Sequence, residues 1–289
     1  MSPSDPPGNP GSSGASGDPT SAEASGATRF EVPVDTRAPT GTTNAYLVDG
    51  LLVDPAAETD ALDAAIGRIG VDAVDAIAVT HSHPDHVGGV ATYADRTDAG
   101  VYAHADHVDR FRAATGVDPD STFRDGDLLG STGVRVLDTP GHAPDHVAFA
   151  VEGGATEGGA DAPRELLCGD LAVATGSVVV GAPEGDIAAY LESLEGVRDA
   201  GYDRLWPGHG PAIDDPENAC QRLIDHRLAR ERRVLEAVGN GATDLDGVLA
   251  AAYEKDLSGV EDLARATVRA HLEKLVAEGR VDDSWGERA

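Results

Sequence analysis

Three imidazoles and a carboxylate fall within six consecutive positions of the run Thr80-His81-Ser82-His83-Pro84-Asp85-His86-Val87-Gly88-Gly89, directly after the apolar stretch Ala76-Ile77-Ala78-Val79. So dense a polar cluster at the end of a strand-like segment reads as a metal site. In extended chain, residues two apart project to the same side, which lets His81 and His83 grip one ion. Pro84 suits the first turn of a helix, so Asp85 and His86 are expected to point from that turn toward a second ion beside the first. Imidazole nitrogen with carboxylate oxygen is the donor set that Zn2+ and related divalent ions select.

Further motifs follow in order. Thr139-Pro140-Gly141-His142, Cys168-Gly169-Asp170 and Trp206-Pro207-Gly208-His209-Gly210 each come after an apolar, strand-like segment, and each sets a His or Asp beside a Gly. Singly, a Pro-Gly-His is a turn carrying a surface histidine. In this order after His81-x-His83-x-Asp85-His86, the set resembles the metallo-β-lactamase superfamily, from about Thr42 to Gly210. The resemblance implies that His81, His83 and His142 bind one metal, that Asp85, His86 and His209 bind the other, and that Asp170 bridges them. It also implies an α/β fold, the αββα sandwich of that superfamily, with ligands at strand ends. The superfamily's true β-lactamases carry a Cys in the place of Asp170 and usually lack the histidine seen at His86, so antibiotic hydrolysis is not expected. The Asp-bridged pattern is shared by glyoxalase-II-type thioesterases and by ribonucleases.

Two cations about 3.5 to 4 Å apart lower the pKa of a shared water from about 15.7 toward neutrality, while one polarises the scissile carbonyl or phosphoryl oxygen. The expected enzyme is a hydrolase with two divalent ions, zinc by preference, a bridging hydroxide and no Ser or Cys nucleophile. Asp85 and His146 are the candidate catalytic side chains. His146, four positions after His142, reads as a hydrogen-bond partner of the site, a proton donor or a structural histidine. Cys168 is expected to be a buried, reduced thiol, and His104 and His107 to be rim or surface histidines.

Composition bounds the surroundings. Lys and Arg total 22 against 51 Asp and Glu, a formal net charge of −29, and Lys255 and Lys274 are the only lysines. A carboxylate-rich surface with so few lysines looks like an adaptation to multimolar salt, as in halophiles. Near 1 M salt the screening length is about 3 Å, so charge alone would not keep nucleic acid away. The two cysteines, Cys168 and Cys220, give no disulfide framework. No apolar run marks a membrane span or secretion signal, so a cytoplasmic location is expected.

Residues 1–28, rich in Ser, Gly and Pro, read as a disordered tail, residues 29–212 as the catalytic domain, 213–240 as a linking helix and 241–289 as a small helical, winged-helix-like module. Asn44–Val48 and Leu51–Asp54 are expected strands joined by an Asp49-Gly50 hairpin turn. Further strands are expected at Val101–Ala103, Val134–Leu137, His146–Val151 and Leu166–Cys168, a helix from Thr59 to Ile69, and a flexible excursion over 152–164.

The linking helix opens at Asp214-Asp215-Pro216-Glu217 and carries Arg222, His226, Arg227, Arg230, Arg232 and Arg233. One reading is a phosphate- or carboxylate-binding strip at the mouth of the cleft, with Arg227 and Arg230 as substrate-binding candidates; the other is a solvated helix paired with its own acids. Helices at Leu245–Tyr253, Val260–Ala264 and Ala266–Ala277, followed by Gly279-Arg280-Val281, resemble a winged helix. Glu273 and Glu278 beside Arg265, Arg269 and Lys274 favour a packing or substrate-side platform over a DNA reader. With His226-Arg227 and Ala270-His271-Leu272-Glu273-Lys274-Leu275, the arrangement looks like lactamase-β-2-type proteins, a branch that includes endoribonucleases cutting single-stranded RNA. Cleavage of phosphodiesters in single-stranded RNA is therefore the expected function, with hydrolysis of small acyl thioesters as the alternative. Aromatics at 4% leave little for base stacking, which weighs against RNA.

Overall fold

The computed structural model describes residues 27–152, 163–253 and 256–285. Strands β1 (Thr28–Pro33), β2 (Thr42–Val48), β3 (Leu51–Val53), β4 (Ala76–Ala78), β5 (Gly100–His104) and β6 (Ser121–Phe123) pair in that order into one sheet. The first two joints are antiparallel and the rest parallel. A second sheet, ordered β10-β9-β8-β7, holds β7 (Arg135–Asp138), β8 (Val147–Glu152), β9 (Arg164–Gly169) and β10 (Arg204–Pro207). Side chains alternate across each strand and so sort into layers. Tyr46, Val48, Leu51 and Val53 meet Val136, Phe149, Leu167 and Trp206 in the core between the sheets.

The other face of the first sheet, with Ala45, Leu47, Leu52 and Ile77, is covered by α1 (Asp60–Ile69), α2 (Pro84–Val87), α3 (Val90–Thr97) and α4 (Val108–Thr115). The outer face of the second sheet, with Ala148, Leu166 and Leu205, is covered by α5 (Ile187–Ala200) and the first half of α6 (Pro216–Gly239). The result is the expected αββα sandwich. The Asp49-Gly50 turn also forms as expected, with φ of 46° and 80°. Thr59 caps α1 by accepting from Leu62 N.

The second half of α6 leaves the sandwich and packs with α7 (Leu245–Ala252) and α8 (Glu261–Ala277) around Val234, Val248, Leu249, Val268, Leu272 and Leu275. Here the structure corrects the sequence reading. The helices expected at 260–264 and 266–277 are one continuous α8, since nothing in the intervening Arg265 breaks an i to i−4 ladder. No strand follows Pro207 among the described residues, so the module has helices and no wing: Gly279 N and Arg280 N donate to Val276 O and Leu275 O, closing α8 in a turn that brings Val281 and Trp285 back onto the helical core. The expected disordered tail and most of the 152–164 excursion lie outside the described residues. The tail's expected end is too late, because Ala27 is buried and Thr28 already pairs with Leu47. Among the described residues no helix is long and apolar enough to cross a membrane.

Candidate metal centre

Four segments bring ligands to one edge of the sandwich, each just beyond the carboxyl end of a strand. His81, His83, Asp85 and His86 follow β4, His142 follows β7, Asp170 follows β9 and His209 follows β10. The α2 turn starts at Pro84, as its fixed φ favours, and swings Asp85 and His86 away from His81 and His83. Three overlapping three-residue groups result, His81 with His83 and His142, Asp85 with His86 and His209, and His81 with His86 and Asp170 joining the two, each with its donor atoms within 4.8 Å of one another. Asp170 stands between them, with Oδ1 3.8 Å from His86 Nε2 and Oδ2 3.6 Å from His142 Nε2 and 3.5 Å from His209 Nε2. In the first group His83 Nδ1 lies 2.9 Å from His81 Nε2 and 3.0 Å from His142 Nε2.

The remaining nitrogen of each imidazole is already engaged. His86 Nδ1 donates to Asp54 Oδ2 at 2.9 Å, His142 Nδ1 to Val179 O at 2.7 Å, and His209 Nδ1 to Thr42 O at 2.8 Å. His81 Nδ1 donates to Thr80 Oγ1, whose hydroxyl donates in turn to Asp54 Oδ2. His83 Nε2 faces Glu184 Oε2 at 3.0 Å. Such outer partners fix each tautomer and leave one lone pair aimed inward. Two inward atoms, His86 Nε2 and Asp170 Oδ1, are buried without any hydrogen-bond partner. Buried polar atoms are rarely left so. Orphaned donors flanked by two histidine groups fit a pair of divalent cations, and the residues present suit it.

Electrostatics agree with that fit. Burial, then the neighbouring imidazoles, keep His81 far below its ordinary pKa, so it is neutral and its lone pair free. Burial also lowers His86, but the charge and hydrogen bond of Asp54 outweigh it and hold His86 at about 9, so an incoming cation must displace that proton. Burial would raise Asp170; the hydrogen bond from His209 and the surrounding imidazoles prevail and keep it ionised.

His146, a candidate catalytic side chain, is corrected by its surroundings. It is buried, its Nδ1 faces Thr139 O at 3.0 Å and its Nε2 accepts from Asp170 N at 3.0 Å. Burial pulls its pKa down to about 3, so it is a neutral imidazole that accepts from the Asp170 backbone, the hydrogen-bond partner among the roles expected of it. Arg227 and Arg230 are corrected too. Neither reaches the cleft: Arg227 Nη2 donates to Val178 O with its guanidinium over the Tyr190 ring, and Arg230 Nη1 donates to Ala252 O over Tyr253. Both are buried, at 2% and 8% exposure, because their stems fill the seam between α6 and its neighbours. Asp85 does face the cleft, with Oδ2 held by the Thr36 hydroxyl at 2.5 Å.

Sequence reasoning missed Asp54, Thr36 and Glu184. Asp54 had a signal, an acid closing the apolar run Leu51-Leu52-Val53; Thr36 and Glu184 sit in loops with none. Cys168 is a free, buried thiol as expected. His104 contacts Asp138 at 3.2 Å and stacks near His107, away from the ligand groups.

A model of the metallo-beta-lactamase superfamily matches residues 38–209, well over half of the chain. The chain belongs to that superfamily. Among its relatives is the beta-lactamase-like protein 2 homolog of Drosophila melanogaster, 29% identical over 220 residues and covering 72% of this chain and 70% of that protein. An atrochrysone carboxyl ACP thioesterase of Aspergillus chevalieri is 32% identical over 168 residues, covering 56% and 47%. Among solved structures, the metallo-beta-lactamase family protein TTHA1429 of Thermus thermophilus superposes with a TM-score of 0.68 at 27% identity, covering 88% of this chain and 94% of that one. TTHA1623 in a di-iron-bound form gives a TM-score of 0.51 at 30% identity, covering 66% and 96%. Members of this superfamily are metal-dependent hydrolases, and this chain is one.

Proposed function

We propose that this hydrolase cleaves a small acyl thioester. The observation that carries the reading is the cleft beside the ligands, about 460 Å³, walled by Ala38, Pro39, Val173, Val178, Val179 and Leu263. A pocket of that size and apolarity suits an acyl chain. A strand of RNA needs a cationic path for its phosphates. Arg37 is the sole arginine on the described cleft wall, and both of its Nη atoms are committed, to Asp262 and to Gly259 O. Arg227 and Arg230, the arginines expected to hold those phosphates, are buried away from the cleft. The relative with a thioesterase name supports the same reading.

His81, His83 and His142 with Asp85, His86, His209 and Asp170 would hold two divalent ions, zinc in this reading, which would supply a water deprotonated near neutral pH and polarise the scissile carbonyl. Asp85, pinned by Thr36, also presents its carboxylate at the cleft, where it can accept a proton. Val173, Val178 and Val179 seat the acyl chain and exclude solvent from it. A thiol ionises near about 8.5, so the departing thiolate needs no acid. That matches a cleft from which His146 is closed off.

The test is a side-by-side assay in high KCl on labelled single-stranded RNA and on a series of acyl thioesters of increasing chain length. The expected result is thioester turnover, with kcat/KM rising with chain length until the pocket is full, and a drop of about tenfold in Val179→Asp. Turnover of RNA with no thioester hydrolysis would overturn the proposal.

A further inference from the structure

Between Asp170 and α5, residues 173–186 form a strap without regular helix or strand, and it faces two ways. Its inner side supplies the outer partners of two imidazoles in one ligand group: Val179 O accepts from His142 Nδ1, and Glu184 Oε2 faces His83 Nε2. Its outer side is tied down by the C-terminal helices. Arg222 of α6 donates to the carbonyls of Val173 (2.6 Å) and Gly176, Arg227 donates to Val178 O, and Ala182 N donates to Ala266 O of α8 at 3.0 Å. The strap does not touch the other ligand group: His86 leans on Asp54 just past β3, His209 on Thr42 O of β2, and Asp85 on Thr36, whose neighbour Arg37 pairs separately with Asp262 of α8.

Glu184 is itself braced. Arg110 of α4 grips both of its oxygens, at 2.9 and 2.8 Å, and donates through Nε to Asp145 Oδ1 at 2.8 Å. Asp145 Oδ2 accepts from Ser82 N at 2.9 Å, one residue before His83, which closes a ring around the ligand. With Nδ1 of His83 facing the other two imidazoles, its proton must sit on Nε2, and a carboxylate there keeps it so.

We propose that this strap, with Glu184 as its positioning residue, couples the C-terminal helices to the metal centre by setting the affinity of the His81, His83, His142 site alone. The Asp85, His86, His209 site leans instead on Thr36, Asp54 and Thr42, none of them in the strap. The inference rests on the reading of the two ligand groups as a metal pair.

Zinc affinity of the full chain, measured by chelator competition in two backgrounds, tests it. In His209→Ala the first group is whole and the second is broken, and there Glu184→Ala should weaken zinc binding about 10- to 100-fold, while Glu184→Gln, which keeps an acceptor oxygen, should recover most of the loss. Gly181→Ala works from outside the site: its Cβ would stand 2.8 Å from Ala266 Cβ and lever the strap off α8. It should weaken the same site while the metal-free chain, read by its unfolding temperature, stays folded at the assay temperature. In His142→Ala, where the second group is whole and the first is broken, neither variant should move zinc binding. Unchanged affinity in the first background overturns the proposal, and so does an equal loss in both. A parent chain that binds no zinc overturns the metal-pair reading instead.

Discussion

At Gly208 the metal centre leaves no room for a side chain. A Cβ there would lie 2.6 Å from Asp170 Oδ1 and 2.8 Å from His86 Cε1, so Gly208→Ala must displace the carboxylate between the groups or an imidazole. We expect metal analysis to find fewer than two ions and turnover to fall at least about 100-fold, the usual cost of misplacing a site by about an ångström. Two ions with full turnover would refute the role given to Asp170. A second residue, His271, is sealed in the helical module with both ring nitrogens unpartnered. Burial, then the nearby Arg227, Arg230 and Lys274, lower its pKa to about 3 from 6.5. Between those values the unfolded chain binds the proton and the folded chain does not, so stability falls as pH drops below about 6.5, by up to about 1.4 kcal/mol per unit. His271→Leu should raise the unfolding free energy of the metal-free chain by about 1 kcal/mol at pH 7.5, and by more at pH 5. An identical pH slope in parent and variant would refute it. Local spacing exposes ligands such as His81 and His83 to a reader of sequence, because strand geometry makes i and i+2 neighbours. Glu184, 101 positions from His83, becomes its partner only through tertiary folding.

Elements were readable where one physical signal dominated. Continuous apolar runs on either side of an Asp-Gly turn mark β2 and β3, and Asp215-Pro216 marks the start of α6, where Asp215 Oδ1 accepts from Asn218 N. At α5 the signal is the cap, and it went unread: Asp186 Oδ1 accepts from both Ala188 N and Ala189 N, at 2.8 and 3.1 Å. Asp186→Ala should cost about 1 kcal/mol, up to about 2, in urea unfolding. A change below about 0.3 kcal/mol would mean the cap is replaced by solvent. The arginines of α6 show why helical faces mislead. Where each one points is set by what packs on it: Arg222 and Arg227 meet backbone carbonyls of the strap, Arg230 meets Ala252 O of α7, and Arg232 and Arg233 face solvent. The winged-helix expectation failed for a related reason: Gly279-Arg280-Val281 has the composition of a turn into a strand, yet capping of α8 and burial of Val281 and Trp285 use the same residues without a second strand to pair.

On the scale of the whole molecule, charge is the dominant variable. Of 51 acids and 22 bases, the bases are largely matched on the spot: Arg96 with Asp63, Arg112 with Asp109, Arg204 with Asp214, Arg124 with Asp106. The unmatched carboxylates repel one another over longer distances. Raising salt from 0.1 to 1 M shortens the screening length from about 10 to about 3 Å, which silences that repulsion and weakens contact pairs less. The unfolding temperature of the metal-free chain should therefore rise with KCl between 0.1 and 2 M, and a fall would mean that the ion pairs outweigh the repulsion. The same field acts on substrates, since a net charge of −29 raises the free energy of any approaching anion. KM for a thioester with an anionic thiol portion should then fall as KCl rises, while KM for a neutral thioester of the same acyl chain stays flat, because only the first feels the field. Parallel salt curves for the two would show that the acidic surface does not reach the cleft, and that the apolar wall beside Val179 decides binding by itself.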